Sequence, residues 1–102
     1  MVNGPAPREG NTLGELAEWT TAYPDDPSLT EEAAFITELV TKWRNRQIGS
    51  GAVLHALNGR FAQQRSLSGP AAAVLSQGQM WFAWEAGVDG KTSAAIQSEY
   101  LV

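Results

Sequence analysis

Apolar side chains recur along this chain with the period of an α-helix, most cleanly across the segment from about 29 to 47. Leu29, Ala33, Ile36, Leu39, Val40 and Trp43 share a sector about 120° wide at about 100° per residue, and Phe35 widens it. Glu38, Thr41, Lys42 and Asn45 lie opposite. Glu31 and Glu32 open this segment and Lys42, Arg44 and Arg46 close it, the order a helix dipole favours. Ser28 and Glu31 have capping-box spacing at its start. An earlier helix is predicted from Thr12, which forms a capping-box pair with Glu15. Leu13, Leu16, Ala17, Trp19 and Tyr23 give it an apolar side, and Pro24-Asp25-Asp26-Pro27 stops it. The turn Gly49-Ser50-Gly51, with Ser50 as N-cap, leads into a third helix over about 51–65 that buries Val53, Leu54, Leu57 and Phe61. Its Gly59 costs about 1 kcal/mol against Ala. Ser68 caps a fourth helix with Pro70 in its first turn. Ala71, Val74, Leu75, Gly78, Trp81 and Phe82 line one face as far as about Ala86, and Gly87 follows as a C-terminal cap. Beyond the turn Asp89-Gly90, Ile96 and Tyr100 at i,i+4 predict a short last helix.

These elements and their short connections predict an all-α fold. It is a compact antiparallel bundle of four main helices plus a short C-terminal helix. Residues 12–102 form a single domain. Residues 1–11, with Gly, two Pro, Asn and no periodicity, read as a disordered N-terminal tail.

Composition narrows the class. A chain of 102 residues, 43% hydrophobic and 18% charged, is one globular domain with a modest core. The absence of cysteine excludes disulfides, thiol catalysis and cysteine–zinc sites, and it suits a reducing compartment. No strictly apolar run approaches the roughly 20 residues of a membrane span. The first residues lack the charged and apolar regions of a signal peptide. A soluble, cytoplasmic protein with no membrane association is expected.

Candidate catalytic chemistry is sparse. His55 is the chain's only histidine, on the polar side of the third helix, with no carboxylate within four residues to orient it; it reads as a surface histidine. Asp25-Asp26 lacks the further oxygen ligands of a calcium loop and reads as a turn preceding a helix. Gly49-Ser50-Gly51 offers backbone N–H groups to an anion, but no Lys-Ser/Thr follows as in a phosphate-binding loop, and a plain turn is the simpler reading. Ser50 and Ser68 read as caps, having no base beside them. No enzyme activity, cofactor or metal is expected.

Two features point to binding instead. From Leu39 to Trp84 the sequence holds Lys42, Arg44, Arg46, Arg60 and Arg65 and no acid, inside a chain of net charge −4. In an antiparallel hairpin these bases separate into two groups at opposite ends. A helix–glycine turn–helix with basic residues is also the outline of a DNA-binding helix-turn-helix, although the start of its second helix is poor in donors. The other feature is the run Met80-Trp81-Phe82-Ala83-Trp84. Trp81 and Phe82 belong to the core stripe, whereas Met80 and Trp84 each lie about 160° from Phe82. Either the helix is surrounded, or Met80 and Trp84 are covered by residues 88–102 or by a partner.

The segment Phe61-Ala62-Gln63-Gln64-Arg65-Ser66-Leu67-Ser68, within about residues 50–75, resembles a short helical module of bacteriophage and bacterial DNA-metabolism accessory proteins. In that module a helix ending in an aromatic residue is followed by a polar turn, Leu-Ser-x-x-Gln and another helix. Ala71 or Ala72 stands near the position of its Gln. The resemblance implies a phage-like accessory protein whose partners handle DNA, and it transfers no catalytic residue. The expectation is a small non-enzymatic adaptor or inhibitor, of phage or mobile-element type. It would bind a protein partner, or itself, through Met80, Trp81 and Trp84. The alternative is a nucleic-acid-binding module using Lys42, Arg44, Arg46, Arg60 and Arg65.

Overall fold

The structure, a computed structural model, describes residues 11–63 and 67–87. The predicted C-terminal helix, Arg65 and the first ten residues lie outside this part. Four helices are present, α1 (Thr12–Ala22), α2 (Pro27–Arg44), α3 (Ser50–Gln63) and α4 (Gly69–Ala86), and no strand occurs among the described residues. The fold is an all-α bundle.

Side-chain contacts at the helix ends fix the directions. Arg60, late in α3, reaches Glu31 and Glu32 early in α2, and Trp43, late in α2, donates its indole N–H to Ser50 at the start of α3. Glu85, at the end of α4, meets both Arg44 at the end of α2 and Thr12 at the start of α1. Thus α2 and α4 run parallel, and α1 and α3 run antiparallel to both. The most extensive helix contact is that of α2 with α4. Gly78 eases their packing: a Cβ there would stand 3.0 Å from the Ile36 Cδ1 methyl, which would have to give way.

The apolar stripes meet as expected. Leu16 and Trp19, then Leu29, Ala33, Ile36 and Val40, then Val53, Leu54 and Leu57, then Val74, Leu75, Trp81 and Phe82 form one core. Leu13, Tyr23, Phe35, Leu39 and Trp43 close its margins. Trp81 stacks obliquely on Trp19 with centroids 6.0 Å apart, and Trp43 meets Phe82 edge-on at 4.9 Å. Two residues expected inside are exposed. Ala17 faces solvent, and Phe61 is 39% exposed in the last turn of α3, near the end of the bundle.

The helix ends differ in detail from the sequence reading. Asn11, expected in the tail, caps α1 by accepting from the Gly14 N–H at 3.2 Å, and Thr12 is buried as the first helical residue. Asp26, not Ser28, caps α2, accepting from the Leu29 N–H at 2.9 Å, because Pro27 occupies the first helical position and fixes where the helix begins. Ser50 lies within α3, and its hydroxyl accepts from Trp43 rather than from the backbone. Ser68 caps α4 as expected, and Gly87 ends it in the left-handed conformation, φ 71°.

Candidate protein interface

Two charged clusters sit between the helices. Glu32 is 2% exposed although it lies in the first turns of α2. Its two carboxylate oxygens accept from Nε and Nη2 of Arg60, the latter at 3.0 Å, and Glu31 accepts from the same Nη2 at 3.2 Å. The Arg60 guanidinium lies 4.6 Å from the centre of the Phe35 ring. The Glu32 hydrogen bond, against partial burial, raises the Arg60 pKa above its ordinary value, so the cation is held firmly. At the other end, Glu85 accepts from Arg44 Nε at 2.9 Å and Nη2 at 2.6 Å through one oxygen, and from the Thr12 backbone N–H at 2.9 Å through the other. A carboxylate there satisfies the first free N–H of α1 and favours its dipole.

These pairs account for most of the predicted basic residues. Arg60 pins α3 to α2, Arg44 joins α2 to α4, and Lys42 pairs with Glu38 one turn earlier at 3.2 Å. Arg46 is exposed and has no ion pair among the described residues; Arg65 lies outside them. Arg60 stands at the opposite end of the α2–α3 hairpin from Lys42, Arg44 and Arg46, as the sequence suggests. His55 is half-buried and makes an interaction of its own, so it is not the exposed surface residue expected. No group of three or more His, Cys, Asp or Glu that could hold a metal ion occurs among the described residues.

The aromatic run divides by geometry. Trp81 is fully buried against Trp19, so it is a core residue and not a surface anchor. Met80 is 49% exposed and Trp84 39% exposed. They stand one turn apart on the side of α4 that faces away from the core. Ala73 and Gln77 extend the same stripe and are half-buried. Whether residues 88–102 also contribute falls outside the described part. Phe61 belongs elsewhere: α3 runs antiparallel to α4, which places its last turn beside the start of α4, away from Trp84.

Charge and apolar exposure separate onto different helices. The exposed charged residues among those described are Asp25, Glu31, Glu38, Lys42, Arg44 and Arg46, all in α2 or the turns beside it. The exposed large apolar residues, Phe61, Met80 and Trp84, are all in α3 and α4. In α4 the one charged residue is Glu85, and its side chain is 10% exposed and engaged. The outer face of α4 is therefore an uncharged strip centred on Met80 and Trp84. Within it, the Gln77 Oε1 atom is buried with no hydrogen-bond partner. No helix among the described residues is long and apolar enough to cross a membrane.

The chain matches no protein-family model, and no curated protein or solved structure is similar to it.

Proposed function

We propose that this is a small binding protein, an adaptor or inhibitor, that engages a protein partner through the outer face of α4. Met80 and Trp84 are its anchors. One observation carries the reading: two large apolar side chains stand exposed side by side on a helix face without charge, in a protein whose exposed charges are gathered elsewhere. Trp and Met are the residue types that interfaces favour at their centre. The bases that a nucleic-acid reading needs are largely occupied by Glu31, Glu32, Glu38 and Glu85. The Arg44 and Arg60 pairs hold helices together, which supports a scaffold for binding rather than a catalytic centre. A cysteine-free chain suits the cytoplasm, and the resemblance over residues 50–75 extends the reading to an accessory protein of phage or mobile-element type.

The test is retention of host proteins by the immobilised full chain and by the double variant Met80→Lys/Trp84→Lys. Both positions are exposed, so circular dichroism is expected to be unchanged. The wild type is expected to retain a partner that the variant loses, since an anchor residue contributes on the order of 2 kcal/mol or more. A partner retained equally by both proteins overturns the reading. A titration with duplex and single-stranded DNA at low salt is expected to show no binding, and a steeply salt-dependent affinity would transfer support to the nucleic-acid alternative.

A further inference from the structure

We infer that the partner to which this face is matched is a second copy of the chain, packed α4 against α4 about a two-fold axis. The inference rests on reading the α4 face as a protein interface.

Spacing is the first argument. Ala73, Gln77, Met80 and Trp84 follow one another at intervals of four, three and four, the alternation by which one helix presents a seam to another. The seam runs most of the length of α4, so an equal helix matches it end to end.

Charge is the second. The chain carries a net charge of −4, and its exposed charges among the described residues, the acids Asp25, Glu31 and Glu38 and the bases Lys42, Arg44 and Arg46, lie on or beside α2. Because α2 packs on the inner side of α4, an α4–α4 contact holds these charges away from the seam. A partner chosen by opposite charge would find its complement on α2, whereas the α4 face offers nothing to recognise but shape and apolar area. Such a face is complementary to itself, as an isologous interface must be.

Gln77 is the third. Its carbonyl oxygen is buried without a donor at the middle of the seam. An unpaired buried acceptor is costly. An axis passing at Gln77 brings the two side-chain amides together. A rotation of each half-buried side chain then lets the NH2 of one copy donate to the Oε1 of the other. A polar pair at one seam position also sets register, as in coiled coils.

Sedimentation of the full chain from about 1 μM to about 100 μM, spanning the usual range of weak to moderate association, tests this. The mass is expected to rise from 11.0 kDa to twice that value. Met80→Lys/Trp84→Lys is expected to weaken the dimer by at least about 100-fold. Because the seam is uncharged, the dimer is expected to persist as salt is raised. A chain that stays monomeric throughout overturns the inference, as does a dimer indifferent to the lysine substitutions. If the chain is monomeric and the double variant still loses a captured host protein, only the identity of the partner fails. If association and capture are both unaffected by the substitutions, the interface reading fails with it.

Discussion

At the scale of single residues, Glu32 shows how a charge can belong to the core. It stands at an angle within the apolar stripe of α2, flanked by Leu29, Ala33 and Ile36, and Arg60 stands likewise within the stripe of Val53 and Leu57. Those placements are legible in the sequence: two opposite charges, each on an apolar face, have to meet or be neutralised. Reading Glu31 and Glu32 only as complements to a helix dipole overlooks that signal, and Glu85, set among the core positions of α4, carries the same one. Replacing Arg60 alone strands a buried carboxylate. Arg60→Met is expected to destabilise the fold by about 2–4 kcal/mol in urea titration. The double variant Glu32→Leu/Arg60→Met is expected to recover most of that loss; a double variant no more stable than Arg60→Met would refute the account. The exposure of Phe61 was not legible in this way. Its angular position is that of a core residue, and only its place in the last turn of α3 leaves it uncovered.

At the scale of the element, apolar periodicity located all four described helices, while their ends depended on local chemistry. The end of α2 is the clearest case. Arg46 adopts φ 60°, its N–H bonds the Trp43 carbonyl at 3.0 Å, and the Gln47 N–H bonds the Lys42 carbonyl at 2.8 Å. This is a Schellman turn with arginine where glycine is usual, so sequence gave no stop before Gly49. Arg46→Gly relieves the left-handed strain and removes no described ion pair; a gain of about 1 kcal/mol in unfolding free energy is expected. The start of α2 responds to pH. Hydrogen bonds from the Leu29 N–H and then the Ser68 side chain lower the Asp26 pKa below its ordinary value. The folded state therefore favours the carboxylate. Its contribution is complete above the ordinary aspartate range, about pH 4–5, and is lost as pH falls through the lowered folded-state value. Asp26→Asn is expected to flatten the acid limb of a stability–pH profile while leaving the alkaline side unchanged.

At the scale of the molecule, the acid-free stretch from Leu39 to Trp84 does not fold into one basic surface. The bases at the end of α2 and at the end of α3 stand at opposite ends of the hairpin, and acids from outside that stretch partner three of them. A one-dimensional charge pattern could not show this, because Glu85 lies 41 residues from Arg44 and Glu32 lies 28 from Arg60. The fold replaces that pattern with another. One side, around α2, is charged, and the outer face of α4 is not. The sequence did indicate the second side, since helical geometry alone sets Met80 and Trp84 opposite Phe82. The same geometry assigns Trp81 to the interior with Phe82.

The Glu85 carboxylate closes a loop of 73 residues when it receives the Thr12 N–H. During synthesis α1 emerges first, yet the group that seals its first turn is among the last of the described residues to be made. The cost of bringing such distant groups together falls before the contact is gained, so this clasp forms late on the folding path. Contacts that form after the transition state control how fast a protein comes apart more than how fast it assembles. Glu85→Ala is accordingly expected to accelerate unfolding in stopped-flow chevrons while the refolding limb scarcely moves. A slowed refolding limb would place the clasp in the nucleus instead. The residue that joins three helices thus acts as a latch on the lifetime of the folded state, engaged only after the rest of the bundle is in place.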